Sequence, residues 1–237
     1  MTLGKDRIAL VTGASRGIGR AAALALARKG AHIIATARTQ AGLEELDDEI
    51  KANGGNATLV TMDVNDRPAL PRLAEAIRER WGKLDIIVLN AGILGELTPI
   101  SHMDEQIWDD VIATNLTAGF RMIHHLDPLF RQSDAGRAVL VTSGAASGRM
   151  PYWSAYAASK AGLDALGKSW AAELINTPHR VNMLSPGRIA TQMIGQAFPG
   201  IDKSTLPSPD DIANAFVQLC RPDCASQGEI LDATSLC

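Results

Sequence analysis

Cysteine is scarce in this chain of 237 residues, and the three that occur, Cys220, Cys224 and Cys237, lie close to its C-terminal end. An odd number with Cys-x-x-x-Cys spacing fits neither a disulfide framework nor a usual zinc site, so free thiols in a reducing cytoplasm are expected. Long apolar runs are missing too. None approaches the ~18 residues that a membrane span requires, and the polar stretch Met1–Arg7 leads into a predicted strand without a signal-peptide pattern. Charge of one sign does not accumulate: the net charge is −3 with acids and bases interspersed, which argues against nucleic acid as a partner. His32, His102, His124, His125 and His179 are scattered without metal-ligand spacing, so no metal site is expected. No Pro/Ser-rich linker, charge run or internal repeat divides the chain, and residues 1–237 are expected to form a single domain.

What the sequence does contain is alternation. Short apolar, β-rich runs occur at Ile8–Val11, His32–Thr36, Thr58–Met62, Ile86–Leu89, Ala138–Thr142, Arg180–Leu184 and Glu229–Leu231. Helix-type segments lie between them, at Ile18–Lys29, Gly42–Ala52, Pro68–Trp81, Asp104–Arg131, Ala155–Ile175 and Pro209–Cys220. Strand runs with little polar alternation imply a sheet covered on both faces. The pattern therefore predicts an α/β fold with a doubly wound parallel sheet, whose ligands bind beyond the carboxyl ends of the strands. Gly13, Asp63, Asn90 and Ser143 all follow predicted strands and so fall on that one edge.

After the first strand the chain reads Thr12-Gly13-Ala14-Ser15-Arg16-Gly17-Ile18-Gly19. A glycine-rich turn between a strand and a helix N-terminus presents backbone N–H groups and the positive end of the helix dipole to a pyrophosphate. NAD enzymes of this architecture place an acid after the second strand to bond the ribose hydroxyls. Here Ala37 occupies the expected position of the acid and Arg38 follows it. Arg16 and Arg38 suit a 2′-phosphate, so NADP(H) is expected over NAD(H).

Tyr156 and Lys160 are four residues apart in Tyr-Ala-Ala-Ser-Lys, with Ser143 thirteen residues before the tyrosine. On a helix, that spacing sets an ammonium beside a phenol. A lone phenol titrates near ~10, and a neighbouring positive charge is expected to lower that value toward useful acid/base chemistry. Ser143, at the end of a strand, could hold a carbonyl oxygen beside the phenol.

Taken together, the Thr12–Gly19 loop, Asp63-Val64, Asn90-Ala91-Gly92, Asn115, Ser143, Tyr156 with Lys160, and Pro186-Gly187 followed by Thr191 resemble the classical short-chain dehydrogenase/reductase family over nearly the whole chain. The resemblance implies a Rossmann-type sheet of seven parallel strands and hydride transfer between a nicotinamide and a carbonyl or alcohol carbon. It implies Tyr156 as general acid or base, Lys160 as the group that lowers its pKa and bonds the nicotinamide ribose, and Ser143 as the residue that orients the substrate oxygen. Asn115 would interrupt its helix and hold a water linking Lys160 to solvent. Gly13, Ser15, Arg16, Gly17, Ile18 and Gly19 would form the phosphate loop. Asp63 would meet the adenine amino group, with Val64 beside the ring, and Asn90, Ala91 and Gly92 would support the ribose. The backbone at Pro186, Gly187 and Ile189, with Thr191, would contact the nicotinamide amide and the phosphates.

The chain also departs from the family. The last strand runs into Glu229-Ile230-Leu231-Asp232-Ala233-Thr234 instead of a Val-Asp-Gly-Gly type ending. The substrate lid between Thr191 and Pro209 is short and rich in Pro and Gly. Relatives that reduce carrier-bound oxoacyl chains carry arginines at positions occupied here by Asp134 and Thr177, which argues against that activity. Pocket candidates are Leu94, Gly95, Ala145, Met150, Tyr152, Trp153, Ile189 and Met193, which favour an apolar carbonyl substrate; Arg149 and Arg188 would suit an acidic group if they point inward. Apolar residues Ala157, Leu163, Leu166, Trp170 and Leu174 suggest a helix surface left over for a homodimer or homotetramer. Two other readings are an NAD-dependent alcohol dehydrogenase and a nucleotide-sensing protein without turnover.

Overall fold

In the computed structural model, which describes Leu3 and Arg7–Leu236, seven strands form one sheet. They are β1 Ile8–Thr12, β2 His32–Ala37, β3 Ala57–Thr61, β4 Ile86–Leu89, β5 Arg137–Val141, β6 Arg180–Ser185 and β7 Ile230–Asp232. The order is β3-β2-β1-β4-β5-β6-β7 and every pairing is parallel. The chain runs outward from β1 to β3, then returns to place β4 on the other side of β1. That reversal opens a crevice at the carboxyl ends of β1 and β4.

Successive strand residues point to opposite faces, and both faces are covered. Ala9, Val11, Ile33, Ala35, Val88 and Val139 pack in one layer with helices α1 (Gly17–Arg28), α2 (Gln40–Ala52) and α8 (Ala213–Leu219). Leu10, Ile34, Ile87, Leu89, Leu140 and Met183 pack in the other with α3 (Ala69–Trp81), α5 (Ala118–Phe130) and α6 (Ser154–Glu173). Double burial explains why the strand runs carry no polar alternation. The remaining two helices are α4 (Glu105–Ile112) and the short α7 (Gln192–Ala197).

The expected elements occur with small shifts in their ends, and four expectations need correction. The segment Asp104–Arg131 is not one continuous helix: Ala113–Thr117 is π-helical and separates α4 from α5. Pro209–Cys220 begins as a 3-10 turn at Asp210–Ile212 before α8. The lid segment, short and rich in Pro and Gly and given no helix from the sequence, contains α7, whose first turn Thr191 caps by accepting from Ile194 N at 3.2 Å. Finally, Ala157, Leu163, Trp170 and Leu174 are buried within the chain, so they leave no spare surface; Leu166 is half-buried, and exposed large apolar residues on or just after these helices are Phe120 on α5 and Ile175 after α6.

Cys220 and Cys224 are free thiols, and burial pushes Cys220 up to about 12, so it stays protonated. Cys237 lies outside the described residues. No helix among them is long and apolar enough to cross a membrane.

Candidate active site

The glycine loop joins β1 to α1 beneath the crevice. Gly13 adopts φ +65°, a backbone that L side chains disfavour, and a methyl group there would stand 2.9 Å from Asn90 Nδ2. Gly19 is tighter still: a Cβ would lie 2.4 Å from both Asn90 Nδ2 and the Gly13 carbonyl. The two glycines therefore let α1 press against the end of β4. Arg16 precedes α1 without capping it by its side chain, so donors of the first turn have no side-chain partner. Beyond Gly17 the nearest side-chain atom is Thr191 Cγ2, 3.6 Å from where a Cβ would be. That donor set, open at a helix N-terminus, fits a pyrophosphate.

Other predicted residues frame the loop. Asn90 Nδ2 donates to the carbonyls of Thr12 (2.9 Å) and Gly13 (3.3 Å). Thr12 Oγ1 accepts from Asn90 N at 2.9 Å and Ala91 N at 3.0 Å, tying β1 to β4 at the floor of the crevice. Asp63 Oδ1 accepts from Asn65 N at 2.8 Å, and Asn65 Nδ2 donates to Thr114 Oγ1 at 2.9 Å, which fixes the Asp63-Val64 turn to the π-helical segment. Ala37 is buried whereas Arg16 and Arg38 are exposed. Pro186, Gly187 and Ile189 follow β6 in the loop that reaches Thr191, and the Ile189 carbonyl accepts from Thr191 N at 2.7 Å. The Ile189 side chain is a correction to the pocket list, because it is packed in the layer with α1 and α8. Gly95, also on that list, faces α4, its absent Cβ only 2.5 Å from Val111 Cγ2.

Asn115, Ser143, Tyr156 and Lys160 come together across the carboxyl edge. Asn115 sits in the π-helical turn with its side chain fully engaged. Its Oδ1 accepts from Ile93 N at 2.8 Å, while Nδ2 donates to Ile93 O at 2.9 Å and to Ser159 Oγ at 3.0 Å. Ser159 in turn donates to the Tyr156 carbonyl at 2.8 Å. Gly92 is the neighbour of both: its missing Cβ would be 3.2 Å from Asn115 Oδ1 and 3.7 Å from Lys160 Nζ. Ser143 caps the short turn Gly144–Ser147, accepting from Ala145 N at 3.2 Å.

Lys160 is buried at 3 % exposure and donates to the Val141 carbonyl at 2.7 Å, with Nζ 5.8 Å from the centre of the Tyr156 ring. Burial pulls its ammonium down to about 8, the charge of Asp164 acting the other way. The expected lowering of the phenol is not observed. Burial raises Tyr156 above its ordinary value, and the neighbouring Ser143 hydroxyl only offsets part of that. Desolvation of the phenolate dominates because the phenol is itself nearly inaccessible, at 8 % exposure, and the ammonium stands 5.8 Å from the ring centre.

Sequence reasoning named Thr12 in the glycine loop without a role and missed Ser159 and Asn65; all three hold the predicted residues in place. Ser159 had a signal, a small hydroxyl three residues after Tyr156 on the same helix. No group of three or more His, Cys, Asp or Glu side chains gathers among the described residues. A cavity of ≈ 510 Å³ opens beside Ile100, Met150, Tyr152, Ala157 and Ala161, so two of the pocket candidates line it while Ser143 and Lys160 do not.

Comparison with known proteins gives the same picture. A family model described as short chain dehydrogenase matches residues 7–201. The chain is 35% identical over 221 residues to the oxidoreductase YciK of Escherichia coli (strain K12), covering 92% of this chain and 87% of that protein. It is 40% identical over 191 residues to the 3-oxoacyl-[acyl-carrier-protein] reductase FabG of the same organism, covering 80% and 76% respectively. A solved structure of a short chain dehydrogenase from Escherichia coli CFT073, complexed with NADPH, superposes with a TM-score of 0.91 at 35% identity and 98% coverage of both chains.

Proposed function

The chain belongs to the short chain dehydrogenase family of oxidoreductases, and from that premise we propose that it reduces a carbonyl compound with NADP(H), Tyr156 delivering the proton. The observation that carries this reading is the meeting of Tyr156, Ser143 and Lys160 at the carboxyl edge beside the uncapped first turn of α1. When bound, the reduced nicotinamide supplies a hydride to the carbonyl carbon. Tyr156 Oη gives its proton to the carbonyl oxygen, and Ser143 Oγ donates a hydrogen bond to the same oxygen while negative charge builds on it. Burial raises the phenol above its ordinary value, so it is protonated and able to act as the acid. Lys160, charged below about 8, stabilises the phenolate left behind. Asn115 and Ser159 hold α6 and the Ile93 backbone together, so that Tyr156 and Lys160 keep their spacing.

Gly13 to Gly19 would take the pyrophosphate, Asp63 and Val64 the adenine, Asn90 to Gly92 the ribose, and Pro186 to Thr191 the nicotinamide amide. Arg16 and Arg38 support NADP(H), because both are exposed, Ala37 stands where NAD enzymes carry an acid, and neither arginine pairs with a carboxylate among the described residues. Two structural neighbours were solved with NADP or NADPH. The test is NADPH oxidation, followed by absorbance, over ketones, aldehydes, quinones and oxoacyl thioesters. Arg38→Ala should lower the ratio of NADPH to NADH affinity about tenfold, the worth of a charge-assisted contact; an unchanged ratio removes the cofactor argument.

The likeness to FabG favours a second reading, reduction of carrier-bound oxoacyl groups. Asp134 and Thr177 occupy the positions of the carrier-binding arginines, so carrier thioesters should be the poorest of the panel. For assembly, pairing of α5 and α6 across a two-fold axis would cover Phe120, which is 52 % exposed. Light scattering that finds only the 25.2 kDa species would refute it.

A further inference from the structure

Only 4% of the residues are aromatic, yet the rings of Trp153, Tyr156 and Phe198 gather in one place. Trp153 stands edge-on to Tyr156, with ring centres 5.8 Å apart and planes at 71°. It also meets Phe198, with centres 5.8 Å apart and planes at 40°. The Arg188 guanidinium lies 5.0 Å over the Phe198 ring. Phe198 ends α7, so one half-buried indole links the turn before α6, the catalytic helix and the lid.

The turn that aims Trp153 is strained. Tyr152 is the one residue other than glycine with positive φ among the described residues, at 74°. That backbone disfavours a side chain with a Cβ and persists only where neighbours impose it. Here the Tyr152 carbonyl accepts from Thr98 N at 3.2 Å, pinning the turn to the loop after β4. The other walls near Tyr156 are Leu94, Ala145 and Met193, which are smooth and apolar. Against such walls any apolar group gains burial, but only a flat conjugated ring also gains edge and offset contacts with the indole and phenyl rings.

We propose that Trp153 and Phe198 are specificity-determining residues that select aryl ketones and aryl aldehydes, compounds whose reacting carbonyl carbon bears an aromatic ring. This rests on the reading of Tyr156 as proton donor in carbonyl reduction. Burial alone favours a saturated ring, which has the greater apolar surface, so a preference for the flat one reports the aromatic contacts.

Two inert amides of similar outline, benzamide and cyclohexanecarboxamide, serve as probes. Their binding to the NADPH-loaded protein is measured by titration calorimetry, with tryptophan fluorescence and thermal unfolding as checks on folding. Benzamide should bind about tenfold more tightly, as expected of two ring contacts. Trp153→Leu and Phe198→Leu should each remove most of that difference, and Trp153→Phe should retain it. Equal affinities in the wild type, or a preference that survives both leucine variants, overturns the proposal. In parallel, acetophenone and cyclohexyl methyl ketone are followed by NADPH oxidation. Benzamide selectivity that depends on Trp153, without turnover of any carbonyl compound, supports the selective pocket and removes the proposed reduction instead.

Discussion

Arg137 and Lys160 are both cations buried against the same sheet, 4 % and 3 % exposed, one at its amino edge and the other at its carboxyl edge. Arg137 has its donors tied to backbone carbonyls: Arg221 at 2.9 Å, Gly136 at 2.7 Å, Pro178 at 2.8 Å, and Pro222. Around it, Arg7 donates to the carbonyls of Asp85 (3.1 Å) and Ala135 (2.8 Å). The Asp85 carboxylate accepts from Ile8 N at 2.9 Å and Ser133 Oγ at 2.6 Å and pairs with Lys83. Lys160 has one bond, to Val141, and the charge of Asp164 beside it. A guanidinium is a planar fork that stays charged, suited to stitching chain segments together; an ammonium shifts readily on burial and can take part in proton chemistry. The amino edge ties distant chain segments together through a many-bonded guanidinium, and the carboxyl edge holds a lightly bonded ammonium beside the phenol.

Substitutions that separate stability from chemistry test this division. Tyr156→Phe, at the carboxyl edge, should lower kcat/KM about 10³-fold, equivalent to about 4 kcal/mol, with the melting temperature nearly unchanged by calorimetry. A variant that melted early instead would mean the phenol is structural. Asp85→Ala, at the amino edge, should do the reverse. Urea unfolding should show a loss of about 3 kcal/mol, because Ile8 N and Ser133 lose a buried acceptor, while the folded fraction keeps its NADPH affinity. Gly19→Ala is expected between the two, since a 2.4 Å approach to Asn90 and Gly13 forces the glycine loop to shift. It should lose about 2 kcal/mol of stability and bind NADPH more weakly in the same calorimetric series.

The gentlest effect, taken over any single pH unit, is one of pH. The folded pKa of Lys160, about 8, lies below its ordinary 10.5, so between those values the unfolded chain holds more protons and this group makes stability rise with pH. Relative to Lys160→Met, wild type should gain up to about 1.4 kcal/mol per pH unit across that window, read from denaturant unfolding at pH 8 to 10.5. A parallel course for the two proteins would place the ammonium in a more solvated setting than its burial implies.

Much of the carboxyl edge was legible in the sequence because its signals are local: a strand, then a glycine, acid, amide or serine at the next turn. Doubly buried strands announce themselves by unbroken apolar runs, and Tyr156 with Lys160 by a helical step. The amino edge was not legible, since Arg137 meets Arg221 across 84 residues of chain and Arg7 meets Ala135 across 128. An isolated arginine in a sequence carries no mark of such a partner. The same holds for Thr12 and Asn90, separated by 78 residues, and for Asn115 and Ser159, by 44. The helix α7 escaped notice because six residues flanked by Pro and Gly give too little periodicity to count. The phenol was misjudged because spacing reports the neighbouring charge but not how far both groups are withdrawn from water.

The π-helical turn at Ala113–Thr117 has a meaning in helical phase. Each residue of an α-helix advances the chain by about 100°, and a π turn accommodates one residue more than an α turn would. Val111 of α4 thereby faces Gly95 while Met122 and Leu126 of α5 face the sheet. Deleting a single residue from this turn would let it close as an ordinary α turn, so that α4 and α5 run on as one regular helix with their outer faces nearly in phase. The chain would stay helical and keep its packing on the sheet, but the widened turn that presents Asn115 to the Ile93 backbone would be gone, so a length change of one residue would loosen the reaction centre without altering any residue in it.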